Sequence, residues 1–113
     1  MKEEKGRNKM DYSKVNYQVC EHCLIIQLPK EVDDHNCQGI KVASEHIIKE
    51  KKIKEVVFDC SNTVFMDSSG IGILLGRYKR MKELGGAVYI HGESGRIKKI
   101  FKMSGVYQII QSI

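Results

Sequence analysis

Apolar residues along this chain follow two alternating periods, one typical of β-strands and one typical of α-helices. Short runs rich in aliphatic and β-branched residues predict strands over residues 15–20, 23–28, 53–59 and 87–91. Apolar positions three and four apart predict amphipathic helices over residues 38–52, 68–84 and 94–103. Residues 106–113 are apolar and fit either a helix or a strand. This alternation of strands and helices predicts one α/β domain with a mostly buried sheet.

Turn-forming residues separate these elements. Glu21-His22 lies between the first two strands, which is typical of a two-residue hairpin. Gly85-Gly86 and Gly105 follow the second and third helices and are expected to end them. The apolar side of the second helix is predicted to comprise Ile71, Leu74, Leu75, Tyr78, Met81 and Leu84.

Composition also favours a single folded domain. The chain has 113 residues, of which 42% are hydrophobic, and this is enough to form a core. No apolar run reaches the roughly 18 residues that a membrane helix needs, and the N-terminal residues lack the apolar stretch of a signal peptide. We therefore expect a cytoplasmic protein, with residues 1–11 as a disordered or frayed extension and residues 12–113 as one domain.

The formal charge of +5, from 19 basic and 14 acidic residues, is unevenly distributed. Residues 1–76 hold 11 Lys/Arg against 12 Asp/Glu, whereas residues 77–102 hold 8 against 2. Such a basic run favours the solvated face of a helix. Nucleic-acid binding is the alternative, but the sequence has no Trp and no recognition-helix, zinc-finger or aromatic stacking motif. We expect neither a direct nucleic-acid partner nor a membrane partner.

Four cysteines raise the question of a metal site. Cys20-Glu-His-Cys23 has the spacing of half a zinc site. A structural zinc site needs a second pair, and Cys37 and Cys60 are 23 residues apart. The preferred interpretation is that the cysteines are reduced and bind no metal.

The most informative segment is residues 64–72, VFMDSSGIG, which joins a predicted buried strand to the second helix. Asp67 or Ser68 is placed to cap that helix, whose first backbone amides face outward. A nucleophile elbow would need glycine where Asp67 stands, and the strand ends too early for a dinucleotide-binding turn. The Gly-Lys-Ser/Thr ending of a P-loop is missing. Enzymatic catalysis therefore lacks motif support.

The remaining interpretation is that Ser69 is a substrate for phosphorylation. A phosphate would add about −1.5 to −2 charges. The helix dipole and backbone amides tolerate that charge locally. A partner docked over the helix end would instead meet new bulk and negative charge beside Asp67, so this surface suits a switch.

Three segments also resemble a known family. FMDSSGIG at 65–72, LGRYK at 75–79 and KMSGVY at 102–107 are similar to anti-sigma factor antagonists of the STAS domain family, especially the sporulation (SpoIIAA) type. The resemblance spans about residues 12–112. It implies a mixed sheet of four to five strands, with three to four helices packed mainly on one face.

The resemblance further implies a regulatory function without catalysis. In this family, the unphosphorylated antagonist binds an anti-sigma factor that is a histidine-kinase-like serine kinase, and the sigma factor is released for transcription. The kinase phosphorylates the second serine of the motif, here Ser69, and a PP2C-type phosphatase resets it. No cofactor or metal is implied. The partner-binding residues implied are Asp33, Asp67, Ser68, Gly70 and Gly72.

Asp33 is implied by the segment KEVD at 30–33, where the family usually has Gly-Glu-Leu-Asp. Lys30 replaces the glycine, so a turn that required positive φ would be strained or reshaped. The alternative function is a constitutive STAS interaction module of a transporter or signalling scaffold. Such modules often lack the phosphorylatable serine, whereas this chain has Ser68 and Ser69.

Overall fold

The computed structural model describes residues 14–113, and the predicted N-terminal extension at 1–11 lies outside them. The strands are β1 (Asn16–Cys20), β2 (Cys23–Gln27), β3 (Glu31–Val32), β4 (Glu55–Asp59), β5 (Phe65–Met66), β6 (Ala87–His91) and β7 (Gln111–Ser112). The helices are α1 (Cys37–Glu50), α2 (Ser68–Glu83) and α3 (Gly95–Ser104), and a 3₁₀ turn spans Val106–Gln108. All predicted strands and helices are confirmed, with ends that differ by at most two residues. The ambiguous last segment contains both a helical turn and a strand.

The main sheet has five strands in the order β1-β2-β4-β6-β7. The β1–β2 pair is an antiparallel hairpin around Glu21-His22, as predicted, and the other pairs are parallel. The connections between parallel strands lead from β2 to β4, from β4 to β6 and from β6 to β7, so each one reaches the next strand on the same side. Because such connections are almost always right-handed, their three helices lie on the same face. The predicted mixed sheet with one-sided helices is therefore confirmed.

The core lies between this helical layer and the sheet. Side chains on the three central strands alternate in exposure, which is the pattern expected when helices cover only one face. Those on the covered face are buried, namely Leu24, Ile26, Val56, Phe58, Val88 and Ile90. Those between them, such as Ile25, Val57 and Tyr89, are half-buried. Within residues 14–113, no helix is both long and apolar enough to cross a bilayer.

The predicted glycine stops of α2 and α3 are confirmed. Gly85 and Gly105 have φ values of 77° and 81°, in the left-handed region that glycine adopts without a steric penalty. After α2, the backbone N–H of Gly86 donates to the carbonyl of Met81 at 2.7 Å, so the last turn is closed before β6 begins.

The predicted burial of residues on α2 is wrong at one position, and at the residue that follows the helix. Leu84 is 49% exposed, whereas Arg77, which we assigned to the solvated basic flank, is only 6% exposed. Arg77 Nη1 donates to Glu45 Oε1 on α1 at 2.7 Å, and Arg80 Nε donates to Glu45 Oε2 at 2.9 Å. Burial alone would raise the pKa of Glu45, but the hydrogen bonds from Arg77 and Arg80 outweigh it and lower that pKa. This ion pair network therefore joins α1 to α2.

We predict that Glu45→Ala lowers the free energy of unfolding by about 2 kcal/mol, because it leaves the buried Arg77 without its partner. The loss should be smaller than for a fully buried pair, since the Glu45 side chain is 27% exposed. Chemical denaturation measures it. Lys49→Ala is the matched control, because Lys49 is exposed and its Nζ lies 3.9 Å from Glu45. Equal losses in the two variants would contradict the prediction.

The same network predicts a pH dependence. The pKa of Glu45 is lower in the folded state than the value of about 4.3 expected in the unfolded chain. Its contribution is therefore complete above the unfolded pKa and is lost as the pH falls through the folded pKa. The stability difference between wild type and Glu45→Gln should be constant near neutral pH and shrink below about pH 4. Denaturation curves across this range test it, and a difference that does not change with pH would refute it.

Candidate functional site

The loops that follow the neighbouring parallel strands β2 and β4 are hydrogen-bonded to each other at the carboxyl end of the sheet. Thr63, after β4, is buried, and its Oγ1 donates to the carbonyl of Pro29, after β2, at 2.8 Å. The N–H of Val64 then donates to the carbonyl of Lys30 at 2.8 Å. Among the described non-glycine residues, those with positive φ lie elsewhere, so the replacement of the family glycine by Lys30 introduces no left-handed strain. The two loops therefore start in a defined register.

Beyond these bonds, β3 and β5 form a short parallel ladder that the sequence analysis missed. Val32 lies opposite Met66, and the N–H of Asp67 donates to the Val32 carbonyl at 3.2 Å. Asp33 follows β3 directly and Asp67 follows β5 directly, so the two residues lie side by side at the end of the ladder. This ladder brings two of the predicted site residues together although they are far apart in sequence.

Asp67 caps α2, which confirms one of the two predicted capping assignments. Its Oδ1 accepts hydrogen bonds from the N–H groups of Ser69 at 2.9 Å and Gly70 at 3.1 Å. Its backbone carbonyl accepts from the N–H of Ile71 at 3.0 Å. Ser68 is exposed and Ser69 is half-buried, both in the first turn at the positive end of the helix dipole. The predicted serines therefore lie where the sequence placed them.

Gly70 allows the start of α2 to lie directly against the β3–β5 ladder. A Cβ at this position would be 2.9 Å from the Val32 carbonyl oxygen, 3.0 Å from Val32 Cγ1, and closer still to Met66. A Cβ at Gly72 would meet nothing within 4 Å, and Gly72 is exposed. Gly70 is therefore required by internal packing, whereas Gly72 leaves an open strip on the helix surface.

Asp33 organises the loop that leads from β3 to α1. Its Oδ1 accepts from the N–H of His35 at 2.9 Å, and its own N–H donates to Asn36 Oδ1 at 3.0 Å. His35 Nδ1 also lies 3.3 Å from Asp34 Oδ1. Asp33, Asp34 and His35 are the one group in residues 14–113 whose ligand atoms are close enough to hold a metal ion. Two of the three are exposed, and local hydrogen bonds account for the arrangement, so we assign no metal to them.

An apolar groove of about 390 Å³ opens beside the capped serines. It lies between β5, the start of α2 and the end of α3, and its lining residues are Met66, Asp67, Ser68, Ile71, Ile100, Met103 and Ser104. Met103 is 85% exposed and Phe65, on β5, is 43% exposed. Large apolar side chains exposed around a groove are typical of a protein-binding surface. No sequence pattern predicted this groove, although the apolar Met103 in the predicted third helix was a usable signal.

The basic residues divide into two groups around this surface. Arg77 and Arg80 are paired with Glu45 and are structural. The other basic residues of the 77–102 segment are exposed, namely Lys79, Lys82, Arg96, Lys98, Lys99 and Lys102. The capped end of α2 is instead flanked by Asp33, Asp34 and Asp67. The site is therefore locally acidic, with basic residues further along α2 and on α3.

Both the sequence and the fold are similar to those of known proteins. Residues 14–113 match the family model of the STAS domain. The anti-sigma F factor antagonist of Paenibacillus polymyxa is 31% identical over 87 residues, which cover 77% of this chain and 74% of that protein. Unphosphorylated SpoIIAA, an anti-sigma factor antagonist, has a TM-score of 0.70 at 22% identity over 87% of this chain and 86% of its own. The Bacillus cell fate determinant SpoIIAA in its phosphorylated form has a TM-score of 0.71 at 24% identity, over 88% and 91%. At these identities the two solved structures show a shared fold.

We predict opposite effects of alanine at the two glycines of the site. Gly70→Ala should lower the free energy of unfolding by about 1–3 kcal/mol, because the new methyl group overlaps the backbone of Val32. Gly72→Ala is the matched control in the same helix. It should raise stability by roughly 0.5–1 kcal/mol, since alanine favours a helix and the space is open. Thermal and chemical denaturation measure both, and equal stabilisation by the two substitutions would contradict the packing argument.

Proposed function

The chain belongs to the STAS domain family, and we propose that it is an anti-sigma factor antagonist switched off by phosphorylation of Ser69. In the unphosphorylated state it binds an anti-sigma factor that is a histidine-kinase-like serine kinase, and the sigma factor is released for transcription. The kinase phosphorylates Ser69 and the complex dissociates. A PP2C-type phosphatase restores the active form. The protein acts by binding and not by catalysis, in the cytoplasm and in the control of sporulation.

The position of Ser69 is the observation that carries this proposal. Ser69 lies in the first turn of a helix whose cap, Asp67, is held against Val32 of the neighbouring loop. A serine in this position is presented to a kinase by a rigid scaffold. The same scaffold brings Asp33 to the surface that a bound kinase would cover. The substrate serine and the partner-binding acids thus belong to one surface.

The apolar groove supports a protein partner for this surface. Met103 lines the groove and is 85% exposed, and Phe65 on β5, the strand that precedes the helix, is 43% exposed. Burial of such side chains supplies most of the favourable free energy of a typical protein–protein contact. We propose that the anti-sigma factor covers the groove and the capped serines together, with the exposed lysines of α3 at the rim of the interface.

Phosphorylation would act mainly on the partner and not on the fold. The Asp67 carboxylate already accepts hydrogen bonds from the backbone N–H groups of Ser69 and Gly70. A phosphate on Ser69 would add about −1.5 to −2 charges beside that carboxylate. The helix dipole offsets part of the added charge within the domain. A partner bound over the helix start would meet the remaining negative charge and the volume of the phosphate group.

The prediction is that incubation with ATP and the cognate anti-sigma serine kinase adds one phosphate to the wild type and none to Ser69→Ala. Ser68→Ala is the matched control and should still be labelled, since it changes the adjacent exposed serine. Intact-protein mass spectrometry counts the phosphates. Ser69→Asp should weaken kinase binding by roughly 100-fold, because like charges in an interface cost several kcal/mol. Ser69→Ala should bind almost as the wild type does.

Two results would overturn this assignment. Equal labelling of Ser69→Ala and wild type would move the phosphorylation site elsewhere. Binding of the kinase with no labelling of any variant would favour the alternative, a constitutive STAS interaction module. Circular dichroism of each variant confirms that the fold is retained in these comparisons.

A further inference from the structure

The four cysteines lie in three different parts of the fold. Cys37 begins α1, and Cys60 is buried just after β4, so neither joins the Cys20–Cys23 pair as the second half of a zinc site. Cys20 and Cys23 lie directly opposite each other in the β1–β2 hairpin. Directly opposed residues of an antiparallel pair point to the same face of the sheet, with Cα atoms about 4.5–5.5 Å apart. That spacing falls within the roughly 4.4–6.8 Å window for a disulfide.

We propose that Cys20 and Cys23 form a reversible redox site, which closes a disulfide across the hairpin by exchange with a low-molecular-weight disulfide such as oxidised glutathione. The Cys20 thiolate attacks one sulfur of the small disulfide and expels a thiolate, which leaves a mixed disulfide on Cys20. The Cys23 thiolate then attacks the Cys20 sulfur and expels the second small thiolate. The two cysteine thiols lose two electrons and two protons, and the small disulfide gains them as two small-molecule thiols.

The surroundings of the two cysteines explain why Cys20 reacts first and Cys23 second. Cys20 is exposed and Cys23 is half-buried, so the small disulfide reaches Cys20 first. Burial, the carboxylate of Glu55 on β4 and the neighbouring Cys20 raise the pKa of the Cys23 thiol, which makes it the poorer first nucleophile. A shallow cavity of about 250 Å³ is lined by both cysteines, so the small disulfide can approach the pair from solvent. Its other lining residues are Glu21, His22, Lys54 and Glu55.

The hairpin tip is held in place, which keeps the two thiols paired. The carbonyl of His22 accepts hydrogen bonds from the N–H groups of Lys54 at 2.7 Å and Glu55 at 3.2 Å. The Nδ1 of His22 lies 3.2 Å from the carbonyl of Lys52. Because the register already places the two residues opposite each other, the second attack takes place within one hairpin. The second step is therefore fast compared with reaction of Cys20 with another chain.

The dithiol and the serine switch lie at opposite ends of the sheet. Cys23 pairs with Glu55 at the start of β4, whereas the loop that leads to Ser69 begins after Asp59 at its end. Strand β4 has five residues, and its four residue-to-residue steps separate these ends by about 13 Å. The redox site therefore shares no loop with the proposed phosphorylation site, and its test does not require the kinase.

The experiment equilibrates the purified protein with glutathione redox buffers that contain EDTA, blocks the remaining thiols, and applies intact and peptide mass spectrometry. Wild type is expected to become a monomer that has lost two hydrogen atoms, with the bond between Cys20 and Cys23. Cys23→Ser and Cys23→Ala should instead accumulate one glutathione on Cys20, because the second attack is removed. Cys37→Ser is the matched control and should behave as the wild type does.

Two outcomes would overturn the proposal. The first is accumulation of the Cys20 glutathione adduct to the same extent in wild type and in the Cys23 variants. The second is a wild type that remains fully reduced in a buffer in which the glutathione is predominantly oxidised. The use of two Cys23 substitutions, together with circular dichroism, separates these outcomes from a failure of one variant to fold.

Discussion

The parallel pairing of Val32 with Met66 is the contact on which the functional end of this protein depends. Two loops that are remote in sequence become one surface because this pair fixes their register. A ladder of two residues is too short to be stable alone. It is supported on one side by the hydrogen bond from Thr63 to Pro29, and on the other by the close approach of Gly70. The position of Ser69 is thus determined by packing on both sides of the ladder.

The sequence predicts most of the regular structure and only part of the site. Strands such as β4 and helices such as α1 have enough residues to show a period, and their one-sided burial follows from right-handed connections. Strands β3 and β5 have two residues each and show no period, so only their tertiary pairing defines them. Asp67, Ser68 and Ser69 were predictable because a helix start has a local chemical signature. The contact between the Asp33 loop and this helix start has no local signature, since it depends on hydrogen bonds between distant loops. Only the family resemblance implied that Asp33 lies close to Ser69.

Arg77 shows why a charge count alone was misleading. Its basic side chain suggested a solvated position, but its sequence spacing placed it on the buried stripe of α2. That stripe runs through Gly70, Ile73, Leu74, Arg77 and Met81. Glu45 makes burial of the guanidinium tolerable by pairing with it. Part of the basic excess is therefore structural, and the part that remains exposed lies on α3 and along α2.

The topology explains why the two chemically distinctive regions lie at opposite ends of the sheet. In a parallel sheet the loops that follow neighbouring strands meet at the carboxyl end, so residues from several loops combine there into one site. The loops after β2 and β4 meet in this way around Ser69. The β1–β2 hairpin turns at the other end, where its antiparallel register places Cys20 opposite Cys23. A bond across the hairpin would constrain residues already paired in the sheet, whereas a phosphate on Ser69 would change a surface open to a partner. The two proposed modifications would therefore act on different loops, at opposite ends of the sheet.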